Sequence, residues 1–253
     1  MKTNEKNALL FTVAILPFAV IGAIFTCLYQ FDLYDPSVLE PAIEQVGSRG
    51  VLVAISVVQV ALYAFVCGLF GSLLAQKVGL WRSFRVERRA VLLTLAISVV
   101  MGILFSLDYW TFGKALPVIM DSYADGMTLY GVLASIFYGG IIEEVMMRLF
   151  LMSLVAFLLW KIFCRKIPQE NIPGVVFVAT NIVAAMLFAA GHLPATVMAF
   201  GKLTPLILFR CFLLNGGFGL VFGGLYRKFG IQYAMLSHIT VHIISKLIWA
   251  IFI

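Results

Sequence analysis

Six side chains carry the chemistry this sequence has to offer. Glu143, Glu144 and Arg148 sit in one apolar stretch, His192 closes another, and His238 and His242 lie in a third. An ionisable group inside hydrocarbon costs about 2.5–3.5 kcal/mol at mid-helix on insertion scales, so each is a functional-site candidate from the outset. Lys246, and Arg210 near a segment end, complete the set, and all three histidines of the chain belong to it. On an α-helix Glu144 and Arg148 face the same way within about 40° and can pair, whereas Glu143 and Arg148 differ by roughly 140°. Glu143 is thereby left as the candidate general base, on a different wall from the ion pair. The same three side chains would also serve as a buried ion network that only fixes helix packing. Phe188 and His192 lie four apart on one face, where the blander reading of His192 is a capped or interfacial residue. His238 and His242 share a face at the spacing that can hold a metal or bind one oxyanion.

Membrane-spanning helices must position these groups. Of the 253 residues, 62% are hydrophobic and 12% charged, and the mean hydropathy is +1.05; soluble domains carry charge at about a quarter of their positions. A soluble enzyme, a disordered tail and a secreted disulfide scaffold are excluded. A span needs about 20 apolar residues, and the runs 8–28, 51–75, 91–107, 174–190, 205–226 and 231–253 qualify. The stretch 127–160, interrupted by Glu143, Glu144 and Arg148, is either one tilted helix or two with a bend. The expected fold class is therefore all-α, a polytopic transmembrane helix bundle of seven or eight spans, forming a single integral membrane domain over 1–253. The first run is kept as a span because it exceeds a signal-peptide core and no A-x-A-like site follows it.

Loop charges alternate between Lys2 and Lys6, acidic Asp32 to Glu44, basic Lys77 to Arg89, acidic Asp121 and Asp125, and basic Lys161 to Lys166. That alternation predicts a cytoplasmic N-terminus. It also accounts for the net charge of +6 without a nucleic-acid partner, since the cations lie in short clusters between apolar runs. Leu80 to Arg89 reads as a short interfacial helix, with Leu80, Trp81 and Phe84 on one side and Arg82, Arg85 and Arg89 on another. Cys27, Cys67, Cys164 and Cys211 have no C-x-x-C spacing and read as small core hydrophobes. Gly219-x-x-x-Gly223 suits close helix packing, Asn181 and Asn215 suit hydrogen bonds across helices, and Pro17 suits a bend in the first span.

With these motifs in place, the sequence resembles the CPBP intramembrane proteases, also called the Abi or CAAX-protease family, whose signatures are E-E-x-x-x-R, F-x-x-x-H and a C-terminal H-x-x-x-N. The chain shows Glu143-Glu144-x-x-x-Arg148, Phe188-x-x-x-His192 and His238-x-x-x-His242 in that order. The resemblance covers roughly 127–250. It implies a hydrolase in which Glu143 and His192 activate a water, His238 helps hold the oxyanion, and Arg148 orients the glutamate pair. Met147 and Leu149 replace the aromatic and glycine that often flank the motif arginine, and His242 stands where asparagine is usual. A neutral imidazole donates one hydrogen bond as an amide does, so the oxyanion role survives that change.

The expected function is an intramembrane endopeptidase acting on a membrane-associated peptide or protein, with or without a lipid on it, in the bilayer. No cofactor is expected; zinc on Glu143, His192, His238 and His242 is the alternative. A non-catalytic immunity or signalling scaffold of the same fold and a proton-coupled transporter are the competing classes. Depth presents one difficulty. At ~1.5 Å per residue, Glu143 falls near mid-membrane, His192 near the outer end, and His238 about a third of the way in from the cytoplasmic end. A shared site therefore requires different boundaries within 127–173.

Overall fold

The structure, a computed structural model, describes residues 3–125 and 127–253. Lys2, one of the cations ahead of the first span, lies outside them, as do the side chains of Asp121 and Asp125. Every element among the described residues is helical. In chain order they are α1 Thr3–Leu33, α2 Pro36–Val46, α3 Arg49–Val78, α4 Arg88–Ser106, α5 Asp108–Thr111, α6 Pro117–Asp125, α7 Leu129–Ala134, α8 Ser153–Phe163, α9 Gly174–Gly191, α10 Leu193–Phe200, α11 Pro205–Cys211, α12 Gly217–Phe229 and α13 Ile231–Phe252. Two π-helical segments, Ser135–Glu143 and Val145–Met152, join α7 to α8, and a third, Phe212–Gly216, joins α11 to α12.

Seven segments of the described residues are long and apolar enough to cross a membrane: Asn4–Leu33, Arg49–Val78, Arg88–Thr111, Leu129–Phe163, Gly174–Phe200, Pro205–Phe229 and Ile231–Phe252. The protein is an integral, multi-pass membrane protein. Each expected span is found, extended at most ends, and the count is seven. The stretch expected at 127–160 is a single helical run whose middle is wound as π-helix. α1 passes through Pro17 unbroken.

Caps explain several boundaries. Ser48 accepts a hydrogen bond from the Val51 N–H to start α3, Thr128 does the same for Gly131 at α7, and Thr204 for Ile207 at α11. Gly79, at φ 76°, ends α3 in the left-handed conformation that side chains avoid. Small residues set the packing distances. A Cβ on Gly71 of α3 would lie 2.9 Å from the backbone of Leu149 and Phe150, and one on Gly22 of α1 would lie 3.0 Å from the Tyr138 nitrogen. The first two long helices therefore grip the π-wound run from its outer side. Bulky apolar residues such as Val58, Phe70 and Leu247 point outward, as lipid-facing residues do.

The packing expectations are met in part. Asn181 donates to the Leu220 carbonyl at 2.9 Å across α9 and α12, where a Cβ on Gly223 would collide with the Asn181 side chain at 1.8 Å. Asn215 instead donates to the Cys211 carbonyl in its own helical run at 3.1 Å. All four cysteines are free, and Cys27 and Cys211 are buried.

The interfacial helix expected over Leu80 to Arg89 does not form: residues 80–87 are irregular and lie over the turn between α12 and α13. Their backbone is satisfied from elsewhere. The Tyr233 hydroxyl accepts from the Glu87 N–H at 2.9 Å and donates to the Arg85 carbonyl at 3.1 Å. Leu80 is buried, and Trp81 packs edge-on against Phe11 of α1.

Candidate active site

The first motif sits on the π-wound run. Bonds from i to i+5 widen that helix, a rare winding that is frequent at functional sites. Glu144 lies between the two π segments and is fully buried. Its Oε1 meets Arg148 Nη1 as an ion pair at 3.1 Å and accepts a hydrogen bond from His238 Nδ1 at 2.8 Å. The guanidinium carbon of Arg148 lies 4.4 Å from the Phe188 ring centroid and 5.4 Å from that of Phe222. Aromatic faces thus supply part of the environment that water would give this buried cation. The pairing of Glu144 with Arg148 is as expected; the second partner, His238, is a finding of the structure.

Two consecutive glycines let α13 approach. A Cβ on Gly139 would lie 3.6 Å from His242 Nε2 and 3.7 Å from His238 Nε2, and one on Gly140 would lie 2.2 Å from Ile239 Cγ1. The paired histidines therefore rest directly against the glycine backbone. Gly140→Val is expected to push α13 off this surface, lowering stability by about 1–3 kcal/mol, the usual range for overpacking, and reducing turnover with it. Thermal melts and activity of Gly140→Val alone and combined with Ile239→Ala test this, because the second substitution should restore much of both.

His192 closes α9. Pro194, in the first turn of α10, has no N–H for the α9 ladder, so one helix ends and another begins at the histidine. Its ring packs edge-on to Phe188, and Nδ1 is 2.8 Å from the Phe188 carbonyl. A carbonyl only accepts, so Nδ1 carries the proton and a neutral His192 keeps a lone pair on Nε2.

His238 and His242 form the third part. A carboxylate likewise only accepts, so His238 Nδ1 carries the proton shared with Glu144. The two Nε2 atoms are 3.1 Å apart, and when both rings are neutral the single hydrogen between them belongs to His242. Phe222 stacks on His238 at 4.5 Å between centroids, and Phe105 meets His242 edge-on at 5.9 Å. Beside His238 on α13, the Ser237 hydroxyl donates to Ser98 of α4 at 2.8 Å, the Ser98 hydrogen going to the Thr94 carbonyl, and this fixes the helix there.

These groups surround a cavity of about 280 Å³ lined by Glu143, His192, His238, His242 and Asn215 among aromatic neighbours that include Tyr138, Phe188 and Phe222. Glu144 and Arg148 stand behind the wall. Glu143 is the one carboxylate among the lining residues, and among the described residues it has neither an ion-pair nor a hydrogen-bond partner. No group of three His, Cys, Asp or Glu among the described residues is arranged to hold a metal ion.

The depth difficulty resolves through the real boundaries. His192 is about 27 Å along α9 from Gly174, and Glu143 is a little under 30 Å from Phe163, on straight α-helical rise that the π turns shorten. α13 begins beneath the 80–87 segment, so its first residue does not mark the rim of the bundle. His238 can therefore lie level with Glu144 although it is only seven residues into its helix.

One buried network was missed. Asp108 is 2% exposed and accepts from Arg210 Nε at 2.8 Å, while Arg210 Nη2 and the Tyr123 hydroxyl both contact its other oxygen. Burial and the Asp108 carboxylate push the Tyr123 phenol well above its usual value, which keeps it a donor. Asp108 falls one residue beyond a span expected to end at 107, so it is absent from the intramembrane groups read from the sequence.

Residues 125–244 match the family model described as type II CAAX prenyl endopeptidase Rce1-like. Neither a curated protein nor a solved structure matches the chain.

Proposed function

We propose that the protein is an intramembrane endopeptidase that hydrolyses a peptide bond in a membrane-associated, prenylated substrate by glutamate-activated water, a reading supported by the match of residues 125–244 to the Rce1-like type II CAAX prenyl endopeptidase family model. The observation that carries this reading is the unpaired Glu143 carboxylate facing a cavity shared with His192, His238 and His242. Its neighbour Glu144 is already committed to Arg148 and His238 and cannot take a proton without breaking that pair.

In this mechanism a water lies between Glu143 and the lone pair of His192 Nε2. Glu143 takes its proton as the oxygen attacks the scissile carbonyl, forming the new C–O bond. His242 turns its Nε2–H from the His238 lone pair to the developing oxyanion, where a hydrogen-bond donor counts most. Collapse breaks the C–N bond, and Glu143 returns the proton to the leaving amine. Arg148 and Glu144 act from behind: they hold His238 in the ring orientation and tautomer that the donor pair needs.

The mechanism routes no step through a metal. Activity is therefore expected to persist after long dialysis against a strong chelator, with well under one zinc per chain by elemental analysis. Activity that is lost with a stoichiometric zinc and restored by it would replace this mechanism with a metal-bound one. A panel of fluorogenic prenylated peptides, assayed beside Glu143→Ala, tests the reading as a whole; cleavage equal in both proteins would reject it.

A further inference from the structure

One end of the bundle carries a cavity of different chemistry. Residues 80–87, which join α3 to α4, lie over the turn between α12 and α13, and the two connections enclose about 320 Å³ whose lining includes Arg82, Arg85, Glu87, Lys228 and Gln232. Two contacts build it. Gly230 turns the chain at φ 114°, and a Cβ there would lie 3.0 Å from Arg82 Cβ, so the stem of Arg82 rests on the turn itself. The Tyr233 hydroxyl, from the first turn of α13, holds the Arg85 carbonyl and the Glu87 N–H. Three cations thus converge from two connections on one space that has a single carboxylate. Among the described residues none of these four charged side chains has a hydrogen-bond or ion-pair partner. Gln232 adds an acceptor, since its Oε1 is buried with no hydrogen-bond partner there. A cleft lined mainly by one sign of charge concentrates the counter-ion.

We propose that this cavity binds the headgroup of an anionic phospholipid, with its phosphate among Arg82, Arg85 and Lys228 and a headgroup hydroxyl donating to Gln232 Oε1. Guanidinium groups bind phosphate oxygens in pairs, and the Lys228 ammonium adds a point charge. The surroundings select a lipid over a phosphate from solution. The cavity lies where four membrane-crossing segments end or begin, Arg49–Val78, Arg88–Thr111, Pro205–Phe229 and Ile231–Phe252, which is the level of the headgroups. Phe84 and Val86, interleaved with the arginines, are 73% and 83% exposed, as suits side chains that meet lipid rather than water. On α4, Arg88, Arg89, Leu92 and Leu93 line an apolar groove that suits an acyl chain. A bound headgroup ties the α3–α4 connection to the α12–α13 turn, and so steadies the end of α13 that carries His238, five residues beyond Tyr233.

The test uses the full chain, purified in detergent and stripped of lipid, with phosphatidylglycerol, phosphatidylcholine or inorganic phosphate added back. Native mass spectrometry should show one tightly held phosphatidylglycerol, preferred over phosphatidylcholine by roughly 10- to 30-fold in Kd, the effect of about two basic residues on an anionic headgroup. The same lipid should raise Tm, because it binds the folded protein. In Arg82→Gln/Lys228→Gln the preference should fall to near one and the rise in Tm should vanish, whereas Arg82→Lys/Lys228→Arg should keep most of both. Arg165→Gln/Lys166→Gln removes the same charge from the connection that Gln169 ties to the end of α3, outside the cavity, and should leave the preference intact. Equal loss in the two neutralised double variants overturns the proposal, since the lipid would then be following the diffuse charge of that end of the bundle. So does a preference near one in wild type. So does an equal rise in Tm with inorganic phosphate, since the ligand would then be a soluble anion. None of these readouts depends on peptide hydrolysis.

Discussion

Glu143→Gln protein is expected to insert, fold and melt like wild type and yet show no measurable hydrolysis, because the amide keeps the shape of the side chain but cannot take a proton from water. The loss of a general base alone is worth roughly 10²–10⁴ in rate, and here the same group returns the proton to the leaving amine. Glu144→Gln should behave in the opposite way. Glu144 is fully buried between Arg148 and His238, so removing its charge leaves the Arg148 guanidinium without a counter-ion at a cost of about 3–5 kcal/mol. For a chain of this size that is a fall in Tm on the order of 10 °C. Purified Glu143→Gln and Glu144→Gln, compared by thermal melt and by turnover in one detergent, check both halves. An exchange of the two phenotypes would mean that the wrong glutamate has been assigned to the cavity.

His242→Ala is expected to lower kcat by on the order of 10²–10³, the usual size of a lost oxyanion donor, with little change in substrate binding. The alanine also strips His238 Nε2 of its neighbour, now 3.1 Å away. His242→Asn should retain substantial activity, because an amide can donate to the same oxyanion from the same helical position. Turnover of the wild-type, Asn and Ala proteins under one condition separates the possibilities. Ala equal to wild type would reduce His242 to packing. Asn as inactive as Ala would require imidazole chemistry, as a base or a metal ligand, and the oxyanion role would be dropped.

The spans were legible because hydropathy over about 20 residues responds to the bilayer thickness and not to tertiary detail. The three motifs were legible because so few ionisable residues fall inside apolar runs that each one stands out. What lay between them was not. The separation of Glu143 from Glu144 by helical angle assumes 3.6 residues per turn, whereas Ser135–Glu143 and Val145–Met152 are π-wound. Glu144 still pairs with Arg148, but the hydrogen bond from His238 crosses 94 positions of sequence and no local pattern announces it. Residues 80–87 had the amphipathic spacing of a helix, and the Tyr233 hydroxyl, 146 positions from Glu87, took up backbone groups that a helix would have used. Arg210 was visible as a charge near the end of an apolar run. That Asp108 and Arg210, 102 positions apart, satisfy one another could be read only from the packed structure.

The most direct measurement of the central claim is hydrolysis by the purified protein in nanodiscs, in water enriched in heavy oxygen, of an S-farnesylated peptide, with mass spectrometry of both products. The account predicts two fragments from a single cut, with one heavy oxygen in the newly formed carboxylate of the wild-type reaction and no product from Glu143→Gln. Fragments formed equally by Glu143→Gln, or a substrate left intact by wild type across a panel of prenylated peptides, would contradict it.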